Sequence, residues 1–235
     1  MSDKYDVLVI GSGPAGHGAA IQAAKLGQRV AVIEKSAEVG GASVNTGTIP
    51  SKTLREAVLY LTGLRQRDIY GLSYRLKEDI TVQDLMLRRN YVVRNERGVL
   101  RNQFIRNHVA ILHGKAAFVS PNRVSVQSSQ EQREVEGDFI IIATGSVPAR
   151  SDKVPINHRN IIDSDCVHQL PAIPDTMTVV GAGAIGTEYA CMFAALGTEV
   201  TLVDMQTNVL EFLDSEIREA LFYHMRDQRV IFRLG

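Results

Sequence analysis

Two short glycine motifs hold the most legible chemistry in this chain. Gly11-x-Gly13-x-x-Gly16 follows the apolar run DVLVI, and Gly181-x-Gly183-x-x-Gly186 follows TMTVV. In such a motif the first glycine makes the tight turn out of a strand. The second lets backbone approach a pyrophosphate, and the third lets the next helix pack closely on the strand. The pyrophosphate then rests on the helix N-terminus, where unpaired N–H groups and the helix dipole favour negative charge. Each motif also has an acid at the end of the following apolar run, Glu34 in RVAVIE and Asp204 in VTLVD. A carboxylate there accepts hydrogen bonds from ribose hydroxyls. One such motif is weak evidence. Two of them, each with its acid, predict two dinucleotide sites, and the alternative of two ligand-free turns leaves both acids unexplained. Two sites in one chain suit a hydride-transfer enzyme, with one dinucleotide held and another exchanging.

The elements that must position these motifs follow from periodicity. DVLVI reads as a buried strand, Pro14 to Leu26 as a helix of small residues, and RVAVIE as a second buried strand. Strand, helix, strand implies a βαβ unit and a parallel sheet. A helix is expected near Pro50, since proline is tolerated in a first turn. Residues 81 to 107 read as one long helix capped by Thr81, with Asp84 three residues on. Its arginines, Arg88, Arg89, Arg94, Arg97, Arg101 and Arg106, are expected on a solvated face, with a basic binding surface as the alternative. VAILHGKAAFV and RVSVQS read as strands around a Ser120-Pro121-Asn122 turn, and DFIIIATGS as another buried strand. The polar stretch 146 to 160, with Pro148 and Pro155, reads as a linker and puts a domain boundary near residue 147. TMTVVGAGAIG to VTLVD then repeats the opening design, and the chain ends on an apparent strand, RVIFRLG. The expected fold is α/β, with two Rossmann-like dinucleotide-binding domains, residues 1–147 and 148–235, both incomplete.

Composition narrows the function classes. A chain of 235 residues can bury a real core, and 45% apolar content is ordinary for a globular protein. Lys and Arg number 26, as do Asp and Glu, so no cationic surplus supports non-specific nucleic-acid binding. No apolar run approaches a membrane span, and the N-terminus shows no basic segment followed by an apolar one, so neither membrane nor signal peptide is expected. The two cysteines, Cys166 and Cys191, have no CxxC spacing and no nearby histidine pair. A disulfide framework or metal site is not expected, and a reducing, cytoplasmic setting is. The six histidines form no recognisable triad, and none is assigned to catalysis.

Taken together, GSGPAG, the GG…PSK loop of residues 40–52, ATGSVP, GAGAIGTEYA and VTLVD resemble the pyridine nucleotide-disulfide oxidoreductases over essentially the whole chain. The phrases GTIPSKTLREAV and EFLDSEIREALFYHMRD are similar to the soluble transhydrogenase branch of that family. The resemblance implies roles by position. Gly11, Gly13, Pro14, Ala15 and Gly16 would cradle the FAD pyrophosphate and Glu34 its ribose. Lys35 would begin a segment along the FAD that includes Gly40, Gly41, Ala42 and Ser43, and Thr48 would also contact the cofactor. Gly114, Lys115 and Ala116 would meet the adenine, and Thr144 and Gly145 would pass the flavin. Lys52 would lie beside the flavin ring, paired with Glu188. Gly181, Gly183, Ile185, Gly186 and Asp204 would hold the nicotinamide dinucleotide.

The resemblance also sharpens the chemistry. Disulfide reductases of the family carry two cysteines where this chain has Ser43 and Thr48. Thiol–disulfide exchange needs a thiolate, so it is not expected here. Hydride transfer needs no sulfur. The expectation is bound FAD passing hydride from NADPH to NAD, the nicotinamides exchanging at one site. An inactive dinucleotide-binding module and an NADH oxidase or diaphorase are the alternatives. An acid at the place of Asp204 usually favours NAD over NADP, and no arginine lies in the following MQTNVL, yet a transhydrogenase must accept both, so this stretch leaves the preference open. A family chain continues through a second FAD-contacting segment and a dimerisation domain, so a homo-oligomer is implied for the full-length protein. This chain resembles the N-terminal half, and exposed apolar surface and open sheet edges are expected.

Overall fold

The computed structural model describes residues 3–71, 73, 74, 76–149 and 154–235; positions 150–153 of the expected linker lie outside the described residues. In chain order the first elements are β1 (Asp3–Ile10), α1 (Pro14–Lys25), β2 (Val30–Glu34), α2 (Gly41–Asn45), α3 (Thr48–Leu61), α4 (Arg67–Tyr70) and α5 (Val82–Arg106). They are followed by β3 (Ala110–His113), β4 (Lys115–Ser120), β5 (Arg123–Gln127), β6 (Gln132–Ile142), β7 (Thr176–Val180), α6 (Ala184–Ala195), β8 (Glu199–Asp204), α7 (Ser215–Asp227) and β9 (Ile231–Leu234). The chain forms two compact units, residues 1–51 with 90–149, and residues 52–89 with 150–235.

The first unit is built on a six-stranded sheet of order β3-β2-β1-β6-β5-β4. β1 runs parallel to β2 on one side and β6 on the other, with Val9 opposite Val32 and Ile141. β3 extends the parallel part, and β5 and β4 turn back antiparallel beyond β6. Side chains alternate between faces with a period of two. Val7, Val9, Val30 and Val32 therefore join Ala20, Val39, Phe104 and Val109 on one face. Leu8, Ala31 and Ile33 join Tyr5, Leu112, Val124, Val126 and Val135 on the other. VAILHGKAAFV is not one strand but two, broken at Gly114, whose φ is 155°.

The second unit has a three-stranded parallel sheet of order β7-β8-β9. Its core gathers Tyr189, Ala190, Met192 and Phe193 of α6 with Val200 and Leu202 of β8. Leu54, Ala57 and Val58 of α3 share one helical face by their spacing and join the same cluster, with Leu85 of α5. That packing takes residues 52–89 into the second unit, whereas the sequence pattern placed everything before residue 147 in one domain. α5 begins with a reciprocal cap. Thr81 Oγ1 accepts from Asp84 N–H (3.2 Å), and Asp84 Oδ2 accepts from Thr81 N–H (2.8 Å). The Lys77 ammonium, 2.6 Å from the same carboxylate oxygen, and the Thr81 bonds hold the Asp84 carboxyl down at about 2.

Three expectations change. The DFIII part of β6 is not buried: Phe139 is 71% and Ile142 66% exposed, although its β1 partners Val7 and Val9 are covered. The TMTVV strand is exposed at alternate positions, with Val180 at 73%. The arginines of α5 are not all solvated either; Arg89 is buried, and Arg97 donates through Nε to Asn45 Oδ1 at 2.7 Å.

Gly16 and Gly18 are near neighbours on α1 with opposite constraints. A Cβ on Gly16 would fall 1.9 Å from the Gly11 carbonyl oxygen, while one on Gly18 meets nothing within 4 Å. Gly16→Ala should destabilise the chain by roughly 2–3 kcal/mol through overpacking. Gly18→Ala should stabilise it by about 0.5–1 kcal/mol through helix propensity. Urea unfolding of both variants checks this, and equal midpoints would contradict it.

Candidate functional site

The two glycine motifs fold into the same turn. Gly11 and Gly181 take φ of 105° and 110°, a region that other residues enter at a cost, and each N–H donates 2.8 Å back to a strand carbonyl, Ile33 O and Val203 O. Gly13 and Gly183 then start α1 and α6 with nearly identical dihedrals, φ −65° and −75° with ψ near 180°. Neither helix has a side-chain cap or an acid in its first turn. Their first N–H groups therefore have no intrahelical or capping partner, and such N–H groups together with the helix dipole attract an anion. Gly186 repeats the close approach of Gly16: a Cβ would lie 1.8 Å from the Gly181 oxygen.

The acids close both turns. Glu34 Oε2 accepts from the Ser12 N–H (2.9 Å) and hydroxyl (2.6 Å), and Oε1 accepts from the Ser36 N–H (2.8 Å). Burial alone would raise its carboxyl. The Ser12 and Ser36 hydrogen bonds outweigh that and hold it below its ordinary value. Asp204 makes the same clasp, Oδ2 from Ala182 N–H at 2.5 Å and Oδ1 from Gln206 N–H at 2.9 Å, and these bonds lower its carboxyl as well. Both acids are thus ionised acceptors beside a helix N-terminus.

Around the first turn the backbone is close-packed. A Cβ on Gly41 would lie 2.8 Å from Gly13 Cα, and one on Gly11 would lie 2.3 Å from Ala143 O and 3.4 Å from Thr144 Cα. Gly40, at φ 104°, donates to Ser12 Oγ (3.1 Å) and Ser12 O (3.2 Å). The Gly114 N–H donates to Glu34 O at 2.9 Å, which brings the start of Lys115–Ala116 to the same strand end. Lys35 is exposed, and Gly145 has open space where a side chain would be. Gly11, Gly13, Gly40, Gly41, Glu34, Gly114 and Thr144 are therefore brought together around one turn.

Two residues that the sequence pattern passed over shape this region. Ser12 is fully buried and links Glu34 to Gly40. Asn45 donates from Nδ2 to Val39 O and Gly41 O (3.1 and 2.8 Å) and accepts from Arg97, whose guanidinium also lies 3.9 Å from Glu38. Ser43 sits in the short helix α2, absent from the sequence expectation, and Thr48 opens α3, two residues before the expected Pro50. Ser12 hides at a variable position of its motif and Asn45 in the loop of residues 40–52, and Arg97 is one of six arginines of one helix; no spacing rule marks Ser12 or Asn45.

In the second unit Lys52 meets Glu188. The ammonium donates to both carboxylate oxygens, at 2.6 and 2.7 Å. The lysine side chain is 58% exposed and the glutamate 19%, so the pair is anchored from the α6 side. Further along the same helix, Tyr189 and Cys191 are raised to about 12 and about 11, first by burial and then by the Glu188 charge. Ile185 stands exposed at the start of α6. Among the described residues, no group of three or more His, Cys, Asp or Glu could hold a metal, and no helix is long and apolar enough to cross a membrane.

A duplicated turn of this kind defines a protein with two dinucleotide-binding folds. The model of the pyridine nucleotide-disulphide oxidoreductase family matches residues 5–235, and the chain belongs to that family. A soluble pyridine nucleotide transhydrogenase of Mycobacterium tuberculosis is 53% identical over 234 residues, 99% of this chain and 50% of the relative. One from Hahella chejuensis is 41% identical over 235 residues, 98% of this chain and 50% of the relative. The Cu(II) complex of an HOCl-induced flavoprotein disulfide reductase from Escherichia coli superposes with a TM-score of 0.85 at 29% identity, covering 99% of this chain and 49% of that one. The chain spans about half the length of the curated relatives it matches.

The Glu34 clasp has a pH signature. Its folded carboxyl is depressed, so the stability it contributes is present above the ordinary glutamate range and is lost as pH falls through the folded value. Glu34→Gln should lower stability at neutral pH, because an amide nitrogen cannot accept from Ser36. It should also flatten the loss of stability on acidification. Urea unfolding of both proteins across the acid range checks this, and parallel pH profiles would refute it.

Proposed function

We propose that this chain carries the dinucleotide-binding part of an FAD-dependent oxidoreductase that passes hydride from NADPH to NAD without a disulfide step. The single observation behind this is the repeated, uncapped helix start with an ionised acid clasped beside it, once at Glu34 and once at Asp204. The names of the transhydrogenase relatives support the particular reaction.

FAD suits the first unit, where Gly11, Gly13 and Gly41 meet only backbone around the helix start. When bound, FAD supplies a two-electron carrier that can take hydride from one nicotinamide and return it to another. The first-turn N–H groups of Ala15 and Gly16 would bind its pyrophosphate and Glu34 its ribose, with Pro14 fixing the start of the helix. Gly114, Lys115 and Ala116 would flank the adenine, and Thr144 and Gly145 the flavin end. NAD and NADP exchange at the second fingerprint, where the α6 N-terminus binds pyrophosphate and Asp204 binds ribose. An anionic Asp204 disfavours a 2′-phosphate, while the proposed reaction requires this site to take both nucleotides.

By its position in the family pattern, Lys52 would be the lysine beside the flavin ring. Its function is a positive charge held in position by both oxygens of Glu188, a preorganised electrostatic element rather than a proton donor. Ser43 and Thr48 contribute no redox group, because a hydroxyl does not supply the nucleophile that disulfide exchange requires.

The test is the visible spectrum of the purified chain loaded with FAD, recorded anaerobically with NADPH and then NAD. Bleaching that NAD reverses is the expected result. Bleaching reversed only by oxygen would identify an oxidase or diaphorase instead. A chain that takes up no FAD would limit the activity to a longer protein. Lys52→Met should slow bleaching by about tenfold or more with FAD content unchanged, and an unchanged rate would remove Lys52 from the mechanism.

A further inference from the structure

Residues 157–169 of the second unit form a turn that has no part in dinucleotide binding as proposed above. Asn157 Oδ1 accepts from the N–H groups of Arg159, Asn160 and Ile161, at 3.0, 3.1 and 3.0 Å. The N–H groups of Asn157 and His158 both donate to Ile161 O, at 3.0 and 3.2 Å. This closure holds His158 at φ 55°, in the left-handed region that few non-glycine residues occupy. The outcome is a contact that sequence spacing did not reveal: His158 Nδ1 lies 3.3 Å from Cys166 Sγ. Cys166 is half-buried in a short stretch of 3-10 helix, Ser164–Gln169, and its N–H donates to Asp163 O at 3.0 Å. A strained backbone position thus aims a base at a thiol.

We propose that Cys166 and His158 form a reactive-thiol site for hydroperoxides, separate from the hydride chemistry. His158 Nδ1 takes the thiol proton, and the thiolate sulfur attacks the terminal peroxide oxygen. The S–O bond forms as the O–O bond breaks, and two electrons pass from sulfur to the peroxide. The proton held on His158 goes to the leaving oxygen, which departs as water or an alcohol, and Cys166 becomes a sulfenic acid. A small thiol then attacks that sulfur; the S–S bond forms, the S–O bond breaks and water leaves. Cys191 is the built-in contrast. It lies in α6, where burial and the Glu188 charge push its thiol up to about 11, which keeps it protonated and inert.

The experiment treats the purified chain with hydrogen peroxide at neutral pH and traps sulfenic acid with dimedone. Peptide mass spectrometry then gives a separate rate for each cysteine. Cys166 should label about tenfold or more faster than Cys191, and His158→Asn should slow Cys166 by about tenfold or more. Asparagine enters the left-handed region readily, so this change removes the base and keeps the turn. Cys166→Ser should abolish the fast label. Equal rates at the two cysteines, or a Cys166 rate unchanged in His158→Asn, would overturn the proposal. If His158→Asn unfolds, the comparison of the two cysteines in the unmodified chain decides alone.

Discussion

The interaction on which both halves of this fold depend is a carboxylate at the end of one strand gripping the backbone just after the neighbouring strand. Glu34 takes the N–H of Ser12, and Asp204 takes that of Ala182. Each bond ties the tight turn to the adjacent parallel strand and sets the direction in which the following helix leaves. The helix can then start only if nothing but glycine stands between it and the turn, as the 1.9 and 1.8 Å approaches at Gly16 and Gly186 require. An uncapped helix start is costly unless something else satisfies its N–H groups. That the same unsatisfied arrangement occurs twice is what makes an anionic ligand the natural completion of each unit.

The two copies differ in ways that suit different tenants. The first is closed by Ser12, which joins Glu34 to Gly40, and by the backbone of Ala143 beside Gly11. The second has Ala182 in place of Ser12, and a Cβ on Gly181 or Gly183 would meet nothing within 4 Å. One turn is walled by backbone on several sides; the other is open. Enclosure raises affinity at the expense of exchange, and the proposed assignment of a held cofactor to the first turn and an exchanging nucleotide to the second agrees with this difference.

Much of this was legible in the sequence because it rests on local rules. Glycines at fixed offsets, an acid after an apolar run and a Thr–Asp pair ahead of a long helix each have a short-range physical cause, and the turns, the positions of the acids and the α5 cap follow from them; that the acids clasp backbone N–H groups emerged only from the fold. What was not legible depends on contacts between distant positions. DFIII and TMTVV read as buried because apolar runs usually are, yet burial depends on neighbours that a run does not encode. Arg97 looked like one more surface arginine, and only the folded chain brings it to Asn45. His158 and Cys166 are eight residues apart, a spacing with no rule attached, and a left-handed turn makes them meet.

The segment that follows β2 is held by bonds that make no use of sulfur. Residues 38–48 keep their shape through Asn45, which bonds Val39 O and Gly41 O on one side and Arg97 on the other. Gly47 N–H adds a 2.7 Å bond to Ala42 O. None of these bonds involves position 43 or 48 through its side chain. A disulfide between those positions would therefore add redox capacity to a loop that backbone and amide hydrogen bonds already hold. Ser43 and Thr48 remove the capacity and leave the loop that packs Gly41 against Gly13. The constraint on this segment is the glycine-to-glycine contact beside the first dinucleotide turn, and that contact makes no demand for sulfur.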